Sequence, residues 1–284
     1  MAIEKWTGRI AAGQIAAPGR QGPVVRTSRR ASGLASEKVY IEATGEPARL
    51  CRWFVTPKCS RAGVACTLFF VDLTNPIRDT YDSVADEYAR RIFDELKNKP
   101  LDCQLIARFA AETAGRGPVC DMGCGPGHVA RALHLADANV FGLDLSPAML
   151  EQARRLNPGI DFQLGNMLAL DLPDNSLAGI TAFYAIVNLP ASVLPTVFGE
   201  MARVLQPGSL LLLASHIGDE VRHVTTFLDL PIAMDFIFLP PAIMRGLLEG
   251  AGLHVEEIIE RDPYPEVEHQ TRRAYYFARK PGAR

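Results

Sequence analysis

The feature that most constrains this chain is a glycine-rich stretch, residues 118–130, which reads PVCDMGCGPGHVA. Its first residues are apolar and predict a short buried strand. Gly123, Gly125 and Gly127 then alternate, and glycine allows the backbone to adopt positive φ and to approach a ligand closely. An amphipathic helix is predicted from Ala130 to Ala136. Because a helix that begins at such a turn presents unpaired N–H groups, we expect it to bind a ligand with an anionic group.

The spacing of the glycines excludes two common phosphate-binding loops. A dinucleotide fingerprint, Gly-x-Gly-x-x-Gly, requires a third glycine at the position of His128. A Walker loop requires Gly-Lys-Ser/Thr, which does not follow. The actual pattern, Asp-x-Gly-x-Gly-x-Gly from Asp121 onward, resembles motif I of class I S-adenosylmethionine-dependent methyltransferases. The resemblance implies that the three glycines pack against the methionine part of the cofactor and that Asp121 interacts with its amino group.

A second acid ends the next predicted strand, residues 139–144. A carboxylate at a strand end accepts hydrogen bonds from two vicinal ribose hydroxyls, as in both NAD and S-adenosylmethionine sites. Asp144 therefore predicts a nucleoside cofactor without distinguishing between the two. The resemblance implies that Asp144 and Leu145 contact the cofactor. Ser146 and Pro147 then predict a helix N-terminus, with serine as the N-cap and proline at the first helical position.

A third predicted strand, residues 160–164, leads to Asn166 and Met167. Methyltransferases of this kind often have an acid in place of Asn166, which accepts a hydrogen bond from the adenine amine. An amide oxygen can also accept that bond, although without charge. Met167 is expected to pack on the adenine, with ordinary core packing as the alternative.

The segment before the glycine stretch supplies aromatic candidates. Residues 81–89, YDSVADEYA, resemble the entry helix of small-molecule methyltransferases, and the apolar spacing predicts one helix over residues 79–97. The resemblance implies that Tyr81 and Tyr88 line the cofactor pocket. Aromatic residues at helical spacing are also typical of core packing, so both interpretations stay open.

Two later strands end in further candidates. The strand over residues 178–184 ends at Tyr184, to which the resemblance gives a place in the cofactor site. The strand over residues 209–215 is followed by His216, our candidate for a general base, because ligands bind at the carboxyl ends of parallel strands. A hydrogen-bonded structural histidine is the alternative. The Asn/Asp-Pro-Pro-Tyr/Phe tetrad of enzymes that methylate nucleobases or glutamine is absent after Tyr184, which argues against a nucleic-acid substrate.

The C-terminal part predicts the rest of the fold. Residues 224–241 are strongly apolar and are expected to form a substrate wall or lid for an apolar or aromatic small molecule. Two closely joined strands, residues 253–261 and 271–280, suit a reversed final strand. We therefore predict an α/β fold, a Rossmann-like, seven-stranded, mostly parallel sheet with helices on both faces.

Composition divides the chain in two. Residues 1–74 contain 11 lysine and arginine against 5 acidic residues, a net charge of +6, whereas residues 75–284 contain 19 against 27, a net charge of −8. We interpret 1–74 as a largely disordered extension, and a transit peptide, a basic arm and an extension with little function stay open for it. The six cysteines form no Cys-x-x-Cys pair, so no metal is predicted. No apolar run is long enough to span a membrane.

Residues 75–284 thus resemble a small-molecule methyltransferase, similar to the ubiquinone and menaquinone biosynthesis group. The resemblance implies S-adenosylmethionine as cofactor, in-line methyl transfer to a small molecule and a cytoplasmic location. An NAD-dependent oxidoreductase and a non-catalytic cofactor-binding module are the alternatives. His128 and the closing strand pair oppose the oxidoreductase. The sequence predicts neither the acceptor atom nor the oligomeric state.

Overall fold

The computed structural model of the chain describes the backbone of residues 5–9, 54–60, 63–69 and 74–282, with side chains from Thr74 onward. The chain divides into two compact units, Met1–Pro76 and Ile77–Arg284, which are described separately. In the first unit, strands β1 (Lys5–Arg9), β2 (Phe54–Ser60) and β3 (Gly63–Phe69) form an antiparallel sheet in the order β1-β3-β2. Most of the residues that we predict to be disordered lie outside the described ones, so this disorder stays a prediction.

The second unit is built on a seven-stranded sheet in the order β11-β12-β8-β7-β4-β5-β6. Five strands, from β8 to β6 in that order, run parallel to one another, and β12 is antiparallel to both of its neighbours. The predicted mostly parallel sheet with a reversed last strand is therefore confirmed. The strands are β4 (Val119–Met122), β5 (Val140–Asp144), β6 (Asp161–Leu164), β7 (Leu177–Phe183), β8 (Leu205–His216), β11 (His254–Arg261) and β12 (Arg273–Arg279).

Helices connect these strands. They are α1 (Thr74–Ile92), α2 (Pro100–Thr113), α3 (His128–Leu135), α4 (Pro147–Leu156), α5 (Leu194–Val204) and α6 (Pro241–Gly250). The predicted N-cap of α4 is confirmed, because the Ser146 side chain accepts a hydrogen bond from the backbone of Met149. The single helix predicted over residues 79–97 is wrong, since α1 ends at Ile92 and a separate 3-10 turn covers Glu95–Asn98.

The core lies on both faces of the central strands. β4 and most of β7 and β8 are buried along their length, as the near-continuous apolar runs of parallel strands require. Phe109 of α2 packs directly on β7 at Gly179, where a Cβ would lie 2.6 Å from the phenylalanine ring. Such close packing holds the carboxyl ends of β4, β5, β7 and β8 in fixed positions, and the candidate site lies at these ends.

The apolar segment predicted as a substrate wall forms a β-hairpin. Strands β9 (Val221–Phe227) and β10 (Leu230–Ile237) pair antiparallel, and the two turn residues between them, Leu228 and Asp229, both have positive φ. Phe227, Leu230 and Ile232 pack against α1. The hairpin thus lies over the same end of the sheet as the glycine turn. None of the helices in the described residues is long and apolar enough to cross a membrane.

Candidate functional site

The glycine turn adopts the conformation that its sequence predicts. Gly123, Gly125 and Gly127 have φ of 67°, 51° and 83°, which side chains with a Cβ rarely adopt. The backbone N–H groups of Gly123 and Cys124 both donate to the carbonyl of Leu143, at 2.7 and 3.1 Å. This pairing fixes the turn against the end of β5. The helix α3 then begins at His128 with its first N–H groups directed toward the turn.

Asp121 is buried beneath this turn. One carboxylate oxygen accepts from the Ala130 N–H in the first turn of α3 (3.0 Å), and the other accepts from the Thr181 hydroxyl of β7 (2.9 Å). Burial is the main cause that raises the pKa of Asp121 to about 6. Because Asp121 is only 2% exposed and both of its oxygens have protein partners, its side chain fixes the turn, α3 and β7 relative to one another. The resemblance implied a contact with the cofactor, and this remains untested.

Asp144 lies at the end of β5 and can accept further hydrogen bonds. One carboxylate oxygen accepts from the Gly125 N–H at 2.8 Å and the other from the Ser146 N–H at 2.9 Å. Each carboxylate oxygen has two lone pairs, so both oxygens can accept one more hydrogen bond. Burial raises the pKa of this carboxyl, and the backbone N–H bonds oppose that shift. The geometry fits a pair of neighbouring hydroxyls.

Helix α1 closes over the same region. Asp82 accepts hydrogen bonds from the Ser146 hydroxyl and from the Ala148 N–H, which docks α1 on the start of α4. Tyr81 donates from its hydroxyl to Asn188 at 2.8 Å. Tyr88 covers Gly125, because a Cβ on that glycine would lie 3.7 Å from the tyrosine ring and near no other group. The glycine therefore faces a space that is open except for the tyrosine.

Three further predicted residues, Met167, Asn166 and Leu145, follow the ends of β5 and β6. The Met167 side chain approaches Gly123, with its terminal methyl 3.7 Å from the position of a Cβ. Asn166 turns its amide oxygen toward the Leu168 N–H at 3.0 Å, so this oxygen has one lone pair left for an adenine amine. Leu145 follows Asp144 and is half-buried. We call the group formed by Gly123, Gly125, Asp144, Met167 and Tyr88 the cofactor cradle.

The fit of a nucleoside cofactor to the cradle rests on three observations. The Asp144 carboxylate, which has free lone pairs, accepts a hydrogen bond from Gly125. A Cβ on this glycine would contact the Tyr88 ring and no other described group. The adjacent start of α3 supplies the N–H groups of His128 and Val129, while that of Ala130 is already bound to Asp121. Met167 supplies an apolar surface of the kind on which a flat base packs. The residues present therefore fit S-adenosylmethionine.

An aromatic stack lies beside the cradle, at the ends of β7 and β8. The ring centroids of Tyr184 and His216 are 4.9 Å apart, and those of His216 and Phe238 are 5.2 Å apart. Tyr184 has φ of 55°, an uncommon conformation for a residue with a Cβ that clusters at functional sites. Its neighbour Ala185 is only 2.5 Å from the position of a Cβ on Gly123, so the stack adjoins the glycine turn.

His216 is a weak base in this setting. Burial, followed by the positive charge of Arg273, lowers the pKa of His216 to about 3. One ring nitrogen lies 2.7 Å from the Thr271 hydroxyl. A histidine with so low a pKa stays neutral at physiological pH and takes up a proton poorly, which disfavours the predicted role as general base. The alternative interpretation, a hydrogen-bonded structural histidine, matches these contacts.

A buried network of charges, which the sequence did not reveal, lies behind the stack. Its centre is Glu268, whose side chain is 3% exposed and forms ion pairs with Lys99 (3.3 Å), Arg261 and Arg273 (3.0 Å). Asp102 accepts from Arg261 at 3.0 Å and from the Tyr275 hydroxyl at 2.8 Å. No local pattern could have revealed this network, because its members come from the start of α2, the end of β11, the following loop and the start of β12.

Comparison with known proteins agrees with this geometry. Residues 119–208 match the family model described as a methyltransferase domain. The chain is 31% identical over 144 residues to a demethylmenaquinone methyltransferase of Symbiobacterium thermophilum, covering 43% of this chain and 57% of that one. It is 38% identical over 123 residues to a trans-aconitate 2-methyltransferase of Methylobacterium radiotolerans, covering 42% and 44%. The chain thus spans about half the length of the curated relatives it matches.

Among solved structures, a complex of DhpI with SAH superposes with a TM-score of 0.58 at 20% identity, over 75% of this chain and 98% of that one. A structure titled as a SAM-dependent methyltransferase from Methanosarcina mazei superposes with a TM-score of 0.54 at 14% identity, over 58% and 93%. At these identities the likeness shows the fold. Residues 119–208 therefore match the methyltransferase domain family, and the sheet that contains them has the fold of these two solved structures.

Proposed function

We propose that this protein transfers a methyl group from S-adenosylmethionine to a small-molecule acceptor by in-line displacement. The observation that carries the proposal is Asp144, whose two oxygens each accept one backbone hydrogen bond and keep a lone pair for a ribose hydroxyl. The family match of residues 119–208 supports it. The names of the relatives, which refer to demethylmenaquinone and trans-aconitate, support a small-molecule acceptor.

The residues of the cradle and their sequence neighbours would contact different parts of the cofactor. Asp144 would hold the ribose, and Leu145 would pack beside it. Gly123 and Gly125 would let the backbone approach the methionine part of the cofactor, while Gly127 shapes the start of α3 through its positive φ. Hydrogen bonds to the ribose and close backbone contacts to the methionine part would orient the cofactor without activating it chemically.

The remaining predicted residues would complete the enclosure. Met167 would pack on the adenine, and Asn166 would accept from its amine with the free lone pair of the amide oxygen. Tyr81, through its hydrogen bond to Asn188, would hold α1 closed over the cradle, and Tyr184 would separate the cofactor from the acceptor. For Asp121 the near-complete burial together with the two internal hydrogen bonds supports a positioning role rather than a direct contact.

The bound cofactor would supply a methyl group on a positively charged sulfur, which is already activated for displacement. The protein then has to align the acceptor and exclude water. The stack of Tyr184, His216 and Phe238 would supply that alignment for a flat or apolar acceptor. The neutral His216 would form part of the wall and would not remove a proton.

A cytoplasmic location and the absence of nucleic acid among the partners are further parts of the proposal. In the described part of the chain, Cys103, Cys120 and Cys124 are free thiols, which suits a reducing compartment. The acidic balance of residues 75–284 disfavours binding to a nucleic-acid backbone.

The test is isothermal titration of the full chain with S-adenosylmethionine, S-adenosylhomocysteine and NAD, followed by a transfer assay with radiolabelled S-adenosylmethionine. We expect the two sulfur ligands to bind and NAD not to bind. Binding of NAD alone would contradict the proposal in favour of an oxidoreductase. Cofactor binding without label transfer to any acceptor in a small-molecule extract would favour the non-catalytic module.

A further inference from the structure

Two buried, positively charged side chains lie beside the aromatic stack. The Lys99 ammonium lies 5.6 Å from the centroid of the Tyr184 ring, and the Arg273 guanidinium carbon lies 5.8 Å from it. Their side chains are only 4% and 3% exposed. Lys99 precedes α2 and Arg273 begins β12, so two distant parts of the chain bring positive charge to one ring. We call these two residues the cation pair.

The cation pair retains unused donor capacity. Arg273 donates from one terminal nitrogen to Thr271. Its buried Nε lies 3.0 Å from a Glu268 oxygen as an ion pair, and within the described residues it forms no hydrogen bond. Lys99 has three N–H donors, and its carboxylate partners are Glu95 at 2.8 Å and Glu268 at 3.3 Å. The arrangement therefore leaves donors available beside the stack for a further acceptor.

Positively charged side chains lie on both sides of the stack, where Arg273 pairs with Glu268, Lys99 with Glu95 and Glu268, and Arg222 with Glu220. Arg273, His269 and Lys99 each disfavour the protonated form of His216, and Glu268 alone among the main influences favours it. A third cation, Arg222 of β9, lies 5.3 Å from the centroid of the Phe238 ring on the far side of the stack. A cofactor with a positively charged sulfur would add to this field. A positively charged acceptor would be repelled here, and a negatively charged one would be attracted.

Among the described residues, the two carboxylates that pair with the cation pair, Glu268 and Glu95, are not free bases. Glu268 is held by three cations, and Glu95 by Lys99 and His128. These partners keep both carboxylates ionised, with the pKa of Glu95 lowered to about 2. Since a carboxylate so stabilised is a poor proton acceptor, neither of these two carboxylates is suited to remove a proton from an acceptor.

We propose that the acceptor is an oxygen anion, a carboxylate or a phenolate on a flat apolar group, and that the cation pair binds its charged oxygen beside the aromatic stack. This inference rests on the proposed methyl transfer. In the reaction, a lone pair of the anionic oxygen forms the new O–CH₃ bond as the S–CH₃ bond breaks. The pair of electrons from that bond goes to sulfur, whose positive charge is cancelled. No proton is released, and the products are a methyl ester or ether and S-adenosylhomocysteine.

The test uses matched probes of one shape and different charge. Cinnamate, cinnamamide and cinnamylamine are titrated into the full chain with and without S-adenosylhomocysteine, and 4-nitrophenolate is compared with 4-nitroanisole. Because a hydrogen bond to a charged group is worth more than a neutral one, we expect an anion to bind at least about 10-fold more tightly than its neutral counterpart. Preference for cinnamate alone indicates a carboxylate, and preference for nitrophenolate alone indicates a phenolate.

Variants assign the preference to the cation pair. Arg273→Gln should weaken binding of the preferred anion by about 10-fold or more and leave the affinity for S-adenosylhomocysteine unchanged. Arg272→Gln is the matched control, because this neighbouring arginine is half-exposed and pairs with Glu260 and Asp262. If Arg273→Gln does not fold, Lys99→Met takes its place, with Lys97→Met on the exposed surface as control.

Each result has one meaning. Anions that bind no more tightly than the amide or the amine overturn the inference, as do equal effects of Arg273→Gln and Arg272→Gln. Wild-type protein that fails to bind S-adenosylhomocysteine contradicts the proposed function instead, and the anion preference is then read from the titrations without it. The two failures are therefore distinguishable.

Discussion

Replacing Asp144 by asparagine is expected to weaken cofactor binding far more than it weakens the fold. The carboxylate accepts backbone hydrogen bonds from Gly125 and Ser146, one on each oxygen. Asparagine keeps one acceptor oxygen and turns an NH₂ group toward the other backbone N–H. The variant therefore loses one internal hydrogen bond and one site for a ribose hydroxyl, while the side chain keeps its size.

The expected magnitudes differ for the two losses. A hydrogen bond from a hydroxyl to a carboxylate contributes about 1.5–3 kcal/mol, which corresponds to roughly a 10- to 150-fold rise in Kd. The lost backbone bond costs about 1 kcal/mol of folding free energy. Removal of a charge whose pKa is raised by burial offsets part of that cost. Binding should therefore fall by at least 10-fold in a protein that is still folded.

The assay is isothermal titration with S-adenosylhomocysteine, with urea unfolding measured in parallel. Asp86→Asn is the matched control, because this exposed acid of α1 accepts a hydrogen bond from Gln152 outside the cradle, and the Kd of this variant should change less than about twofold. For a ligand without ribose hydroxyls, wild type and Asp144→Asn should have the same Kd. A folded Asp144→Asn variant with a Kd within threefold of wild type would refute the reasoning, as would an equal loss in the control.

Three further predictions concern stability. Gly123→Ala should lower the unfolding free energy by about 2–4 kcal/mol, because the positive φ is unfavourable for alanine and the new Cβ would lie 2.5 Å from Ala185. Gly199→Ala lies in a helix and its Cβ would meet nothing within 4 Å, so it should raise the unfolding free energy by up to about 1 kcal/mol. Urea unfolding measures both changes. Burial lowers the pKa of His216 to about 3 from 6.5, so the stability it contributes is complete above pH 6.5 and lost as pH falls toward 3. Wild type should therefore lose about 2 kcal/mol relative to His216→Gln between pH 7 and pH 5, and parallel stability curves would contradict this. Tyr81→Phe should cost about 1 kcal/mol by removing the hydrogen bond to Asn188, and no change in the urea midpoint would show that the bond adds nothing.

The fold could be predicted because its main elements have local signatures. The glycine turn, the acid that ends β5, and Ser146 with Pro147 at the start of α4 each follow from residue types at fixed spacing. The reversed β12 followed from two strand patterns joined closely at the chain end. All of these depend on short-range backbone requirements, which are readable in a sequence.

The hairpin of β9 and β10 could not be predicted in the same way. Its two turn residues, Leu228 and Asp229, have positive φ, a conformation for which Asn-Gly is the usual sequence. Without that pattern, the segment showed only its apolar character. The end of α1 at Ile92 was missed for a similar reason, since apolar spacing continues through Leu96 and no proline or glycine occurs between Asp79 and Pro100.

The chemistry of the acceptor side depends on contacts between distant parts of the chain. The position of His216 at a strand end was predicted, but its low pKa comes from burial and from Arg273 and Lys99. Glu268 joins Lys99, Arg261 and Arg273 across about 170 positions of sequence. No spacing rule relates these residues, so the buried cations beside the stack are visible only in the folded structure.

The most direct test of the account is a crystal structure of the full chain with S-adenosylhomocysteine. The account predicts that the ligand lies in the cofactor cradle, with both ribose hydroxyls within about 3 Å of Asp144, the adenine on Met167 and the sulfur directed toward the aromatic stack. A ligand bound elsewhere, or one whose ribose makes no contact with Asp144, would contradict the assignment of this cradle as the cofactor site.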